Sequence, residues 1–463
     1  MKDLRWLGLS ATLGAAALMA CTSASNEAAS DADLRPAERK IVGEAREYPA
    51  DVELSKRLPE LNRSMKERRA AAWKAIARAL AAVPLADKAV QVDGTEPTLP
   101  LFRTWYGKDD LERLFGKMYA DMTPAERRAR RAFTPDEIRA AFRAHATDQG
   151  SWSEDEYLAR VKRVADKPGV DGLGGNSRVS YSPGFVRHLL MNYAPATACL
   201  PKLGTFTPDV EHEPDNFSQC YSAEFPVDAA LVKASWWRAD FGMSLPVYDT
   251  SAATLRAKLS GESDQGGWGK GQDKATPDAT QIYTVKTSDG ATFRMPGMHL
   301  ATKELREWLW ITMWWSPDAD SDFGQDRPDE IRALGGPWSS YKMCVVTAYE
   351  EADPDPTGGF GGSLGEALAA THAGKGPTWC SNPYVEKGAK NAQTNCIGCH
   401  QHAGIPGLGS EAILADDAAF PSAGRTKLRK SFPTDYTWAF DAPPESLARI
   451  LESHVQHHDT TDP

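Results

Sequence analysis

The chain has 463 residues, with 53 Lys and Arg against 63 Asp and Glu, and a formal net charge of -10. Hydrophobic residues at 41% and charged residues at 25% are the proportions expected of a soluble globular chain rather than of a membrane or disordered one. The acidic balance argues against a nucleic-acid partner, whose phosphates attract a basic face; it serves solubility or the docking of a basic redox partner.

Lys2 and Arg5 give a positive start, and residues 6–20 form an apolar run of signal-peptide length, too short for a comfortable membrane span. The run ends in Leu18-Met19-Ala20-Cys21, which resembles a bacterial lipobox. Residues 1–20 are therefore expected to be a lipoprotein signal peptide and Cys21 the lipidated N-terminus; the plainer alternative is an ordinary signal with Cys21 incidental. Thr22 rather than Asp follows the cysteine, so the resemblance implies an outer-membrane lipoprotein facing the periplasm or the cell surface. No later segment reaches spanning length, so the expected anchor is lipid alone. Residues 21–33, rich in Ser, Ala and acidic side chains, read as a solvated tether.

Residues 34–195 read as mostly helical. Capping boxes with Pro at the first helical position recur at Thr123-Pro124-Ala125-Glu126 and Thr134-Pro135-Asp136-Glu137, and Ser153-Glu154-Asp155-Glu156 lacks only the Pro. Residues 64–82 form an amphipathic helix stopped before Pro84, its Arg and Lys run read as a solvated face. Residues 196–350 change character. The stretches 231–237, 282–287 and 308–315 are rich in β-branched and aromatic residues, and Ser288-Asp289-Gly290 is a hairpin signal. Alternation in the last stretch puts Trp308, Trp310 and Trp314 on one face, as core or as the lining of a haem or sugar pocket. Residues 261–271 read as a surface loop. Residues 351–463 open with a Gly/Pro-rich connection, 353–376, and end in a helix from Pro444 to His454. The fold class expected is α+β: an N-terminal helical region, a central antiparallel-rich sheet and a small C-terminal haem c region.

That last expectation rests on Cys396-Ile397-Gly398-Cys399-His400. Covalent haem attachment needs two thiols spaced to reach the two vinyl groups of one porphyrin, and the following His becomes the proximal iron ligand. A structural zinc site would need a second Cys/His pair, and a thioredoxin-like dithiol a βαβ setting. With 7 Cys and 10 His in 463 residues, chance supplies roughly 0.002 such pentapeptides. The expected cofactor is one haem c, attached at Cys396 and Cys399 with His400 on the iron. Of the seven cysteines, the lipid site and the two haem sites leave four, and sequence proximity favours the disulfides Cys199–Cys220 and Cys344–Cys380. The alternative for Cys344 is a buried thiol within an apolar run.

The sixth iron ligand is less constrained. No Met lies C-terminal to His400. His402 is too close in sequence to reach the opposite haem face, and His454, His457 and His458 fall on the C-terminal helix or its tail. The better candidates lie in Met295-Pro296-Gly297-Met298-His299-Leu300, where an extended backbone points Met298 and His299 to opposite faces, so that only one meets the iron. The bland reading makes Met298 core and leaves His299 to a local hydrogen bond.

Five motifs in this part of the chain resemble a family of bacterial exported monohaem "cytochrome c family" proteins. They are Met298-His299-Leu300-Ala301-Thr302-Lys303-Glu304, Trp308-Leu309-Trp310-Ile311-Thr312-Met313-Trp314-Trp315, Pro337-Trp338-Ser339-Ser340-Tyr341-Lys342-Met343, Asn382-Pro383-Tyr384, and the run from Asn395 to His400. The resemblance covers about residues 225–405, two fifths of the chain. In that family the His of the first motif recurs while its predecessor varies among Met, Leu and Phe, which implies His299 ahead of Met298 as distal ligand or pocket residue. Cys344 and the longer insert between Met343 and Asn382 depart from the pattern. The resemblance names no reaction. The leading expectation is electron transfer in the cell envelope with a redox partner protein; the alternatives are a peroxidase-like haem enzyme with an open distal site and a haem-based surface sensor or binding protein.

Overall fold

The computed structural model describes residues 44–84, 98–147, 177–201, 221, 223–239, 244–286, 292–347, 351–372, 379–386, 388–401, 403, 410–415, 437, 439 and 446–461. Cys21, the lipobox and tether, the Ser153 box, the 288–290 turn, Cys220 and His402 lie outside the described residues.

Helix α1 spans Met65–Ala79. Ser64 caps it, its hydroxyl accepting from Glu67 N at 3.2 Å, and Ala72, Trp73, Ile76 and Ala79 line its buried side. The Arg/Lys run expected to be solvated is so only in part: Lys66 and Lys74 are exposed, but Arg68 and Arg69 are 0% and 1% exposed. Arg68 pairs with Asp353, and Arg69 grips both carboxylate oxygens of Asp326 while donating to Met343 O and Phe323 O at 2.7 Å each. A guanidinium carries enough donors to be fully satisfied when partners surround it, so charge alone did not decide which face meets water.

Helices α2 (Lys108–Ala120), α3 (Pro135–Thr147) and α4 (Pro183–Met191) continue this layer. Both expected Thr capping boxes form. Glu126 N reaches Thr123 Oγ1 at 3.3 Å and Glu137 N reaches Thr134 Oγ1 at 3.2 Å, each glutamate returning to its threonine's backbone N–H.

The central sheet is antiparallel. Its strands are β1 (Ser177–Tyr181), β2 (Ala230–Arg238), β3 (Thr284–Lys286), β4 (Thr292–Thr302), β5 (Leu309–Trp315) and β6 (Tyr341–Val346). Their order is β6-β5-β4-β2-β1, and β3 pairs with the first residues of β4. Every residue of β5 and of β6 is buried, because both faces of the sheet are covered. Strand β1 comes from the part read as helical, 34–195, so that boundary does not separate helix from sheet. Trp310 and Trp314 alternate within β5 as expected, but Trp308 precedes the strand at φ +66° and packs with Phe225 and Phe185, ring centroids 5.7 and 6.2 Å away. All three Trp are core.

Beyond the sheet, α5 spans Ala252–Ser260 and ends at Gly261 in the left-handed region (φ +75°), which leads into the expected 261–271 loop. The connection read as Gly/Pro-rich contains helix α6, Gly362–Thr371, packed on α5. A short helix α7 spans Cys396–His400 and the last helix, α8, Leu447–Thr461. Helix α8 packs against α2, where Phe115 and Tyr119 meet His454 and His458 at ring-centroid distances of 5.9 and 5.6 Å. One continuous body of buried side chains runs from Tyr48 to Val455. The architecture is α+β.

Candidate functional site

The site is laid out by strand register. Cys344 on β6 stands opposite Thr312 on β5, Thr312 opposite His299 on β4, and His299 opposite Lys233 on β2. Residues paired across an antiparallel sheet share a face, so this row, together with Trp310, Ala301 and Gly297 two positions away, lies on one side. The neighbouring row, Met343, Met313, Met298 and Ala234, lies on the other. The two candidate distal ligands are thereby separated: Met298 is fully buried among apolar neighbours on the face opposite His299.

A strap, residues 379–386, crosses that first row strand by strand. Cys380 is disulfide-bonded to Cys344, with Cα atoms 5.4 Å apart, as the sequence suggested. Asn382 Nδ2 donates to Thr312 Oγ1 and to Met313 O at 2.7 Å each, and its Oδ1 accepts from Tyr384 N at 3.0 Å. Glu386 Oε1 reaches within 3.9 Å of His299 Nε2. Gly297 makes the approach possible, since a Cβ there would stand 2.8 Å from Asn382 Oδ1 and 3.1 Å from Val385 Cγ2. The strap is also tied forward: Cys380 N donates to Thr394 O at 3.3 Å, Trp379 Nε1 to Ala392 O at 2.7 Å and Ser381 Oγ to Asn391 O at 2.7 Å.

Thr394 leads into α7. Asn395 caps this helix, its Oδ1 accepting from Gly398 N at 3.1 Å. Spacings of three and four residues bring Cys396, Cys399 and His400 to one side of the helix. Both cysteines are thiols, each 8% exposed. The His400 ring lies 4.2 Å from the Trp310 ring, centroid to centroid, tilted by 37°. Trp310 is itself fixed, its Nε1 donating to Glu307 O at 2.7 Å.

His299 keeps 19% of its side-chain surface, yet its Nε2 is buried and has no hydrogen-bond partner. Burial, with the positive charge of Lys233 and the nearby His400 adding to it, holds the imidazole well below its usual pKa. It is therefore neutral, the form that ligates metals. Burial pushes Glu386 up to about 7, against hydrogen bonds from Asn382 N, Ser381 and Thr394 and the charge of Lys233, which pull it down.

These residues fit a haem. One sheet face offers a flat indole beside His400, small side chains at Ala301 and Gly297, and an orphaned imidazole nitrogen within electrostatic reach of His400. A porphyrin supplies four of the iron's ligands, so two imidazoles suffice; among the described residues no group of three or more His, Cys, Asp or Glu is arranged to hold a metal ion. Compared with protein-family models, with curated proteins and with solved structures, the chain matches none.

Cys199 is disulfide-bonded, and its expected partner Cys220 lies outside the described residues. His454, His457 and His458 sit on α8. Sequence reasoning missed Glu386 and Lys233. Glu386 follows the Asn382-Pro383-Tyr384 motif by two positions, but nothing in the sequence tells a buried carboxyl from a solvated one; Lys233 becomes a neighbour only through the β2–β4 register.

Proposed function

We propose that the chain is a monohaem c-type cytochrome that carries electrons in the cell envelope as a lipoprotein. The observation that carries this reading is helix α7, where Cys396, Cys399 and His400 share one side, beneath a sheet face that also bears His299. In this reading Cys396 and Cys399 hold the haem through thioethers, His400 is the proximal ligand and His299 the distal one. A haem bound there supplies a one-electron couple between ferric and ferrous iron. The chain's own part is to hold and shield. Asn395 fixes the start of α7, Trp310 backs the His400 ring, and the strap with its disulfide keeps the His299 row covered. Two imidazoles favour a lower potential than an imidazole and a thioether. The Leu18-Met19-Ala20-Cys21 motif supports an outer-membrane anchor through lipid, and no helix among the described residues is long and apolar enough to cross a membrane. Its partner would be another redox protein.

The test is expression alongside a c-type maturation system, followed by a pyridine haemochrome spectrum and an intact mass. One covalent haem, lost when Cys396 and Cys399 are both changed to Ala, is the expected result; a colourless chain overturns the reading. A second reading, a haem enzyme with an open distal position, draws on Glu386 lying beside the His299 imidazole, an acid–base pair in form. Low-spin iron that ignores carbon monoxide supports the carrier, and high-spin iron supports the enzyme.

A further inference from the structure

The strap ends by delivering a carboxyl to the interior. Glu386 is 6% exposed. It accepts a hydrogen bond from Asn382 N and lies within hydrogen-bonding reach of the Ser381 and Thr394 side chains, and Thr394 stands two residues before Cys396. Its Oε1 stands 3.9 Å from His299 Nε2. Across β4, Lys233 is the register partner of His299 on the same face, and its charge acts on both His299 and Glu386. The distal side thus carries a buried carboxyl and, on a half-buried residue one strand away, an ammonium; away from full solvent, charges act more strongly on one another than at an open surface.

Resting on the haem reading above, we infer that Glu386 and Lys233 are an opposed pair of positioning residues that set the iron's midpoint potential. A carboxylate near the iron stabilises the ferric state, which carries one more positive charge than the ferrous; an ammonium opposes it. The carboxylate stands 3.9 Å from the imidazole and the ammonium belongs to its cross-strand partner, so each charge moves the potential in its own direction. Neither residue would touch the reacting iron, and neither need alter its ligands.

The experiment is a spectroelectrochemical titration of the full-length haem-loaded protein at one alkaline pH, for wild type, Glu386→Gln and Lys233→Met. Gln keeps the size and hydrogen bonding of Glu and removes its charge. E386Q is expected to raise the potential, changing the ferric/ferrous ratio about tenfold, which is about 59 mV for a one-electron couple. K233M is expected to shift it the opposite way. Packing damage alone has no reason to give opposite signs in the two variants. No upward shift in E386Q, or shifts of the same sign in both, overturns the inference. Should E386Q fail to accumulate, K233M decides alone: a potential left unmoved or raised overturns it. A wild-type chain without covalent haem defeats the underlying reading instead, whereas a haem protein indifferent to both charges defeats only this one.

Discussion

Asn382 Nδ2 lies 2.7 Å from Thr312 Oγ1 and 2.7 Å from Met313 O, so a single amide from the strap closes two acceptors in the middle of the sheet. All three residues are buried. Asn382→Ala would leave Met313 O and Tyr384 N short of a partner, while Thr312 Oγ1 keeps its bond to Met298 O, and each unsatisfied buried group costs about 1–3 kcal/mol. With partial relaxation we expect a loss of about 2–4 kcal/mol in unfolding free energy. Denaturant titration measures it, and a loss below about 0.5 kcal/mol would show that the strap does not depend on this contact.

Gly297 tests the same approach from the sheet side. A methyl group at this position would stand 2.8 Å from Asn382 Oδ1, closer than real Cβ contacts come, with Val385 Cγ2 3.1 Å away. Gly297→Ala therefore has to displace the strap, at about 1–3 kcal/mol as for overpacking elsewhere. Its melting temperature should fall together with that of Asn382→Ala, and the double variant should lose less than the sum, because both break one contact. Full additivity would separate the two sites.

Local signals carried well from sequence to structure. Thr123 and Thr134 cap helices because their chemistry is complete within four residues, and Cys344 found Cys380 because the chain between them is short. Signals that depend on distant partners did not carry. Arg68 and Arg69 were legible as charged but not as buried, since Asp326 and Asp353 come from more than 250 residues further along. The opposed directions of Met298 and His299 followed from strand period alone. Which of them faces Cys396 and His400 required the sheet register, a long-range property. Trp308 kept its burial but lost its strand position, because its backbone turns at φ +66° before β5 begins.

His188 should make the protein acid-sensitive. It lies buried on α4, its Nε2 3.0 Å from Tyr221 OH and its ring 4.2 Å from Phe225. Burial, with the charge of Lys303 nearby, lowers its pKa from the ordinary 6.5 to about 4. The folded chain therefore binds this proton less readily than the unfolded chain. Its stability is intact above pH 6.5 and falls as the pH drops towards 4, by up to about 3 kcal/mol. His188→Gln should flatten unfolding free energy over that window, and a variant with the wild-type pH slope would assign the sensitivity elsewhere.

The Cys344–Cys380 bridge closes a loop with a sequence separation of 36. Loop-closure entropy gives such a bridge about 4 kcal/mol at most, by restricting the unfolded chain. Changing both cysteines to Ala should lower stability by about 2–4 kcal/mol without dissolving the fold, because Asn382 and the Trp379 and Ser381 hydrogen bonds still hold the strap. A reducing agent should destabilise wild type to a similar extent and leave the double variant untouched. Equal sensitivity in both would place the effect at another disulfide, such as that of Cys199.

His299→Ala and His400→Ala should differ in kind. His400 follows Cys399 directly and is fixed on α7 against Trp310, so its loss would remove the proposed proximal ligand while leaving both thiols. His400→Ala should yield little haem protein and no normal low-spin spectrum. His299 reaches the site from β4, independently of the attachment helix, so His299→Ala should still acquire covalent haem. If His299 is the distal ligand as proposed, the iron should then become high-spin, with a shifted Soret band and carbon monoxide binding at least tenfold faster than in wild type, about 1.4 kcal/mol or more off the barrier. Met298→Ala, on the opposite face, should leave the spectrum alone and cost only stability, about 2–5 kcal/mol for a buried Met. The reverse pattern, with spectral change on losing Met298 and none on losing His299, would mean that the haem lies against the other side of the sheet.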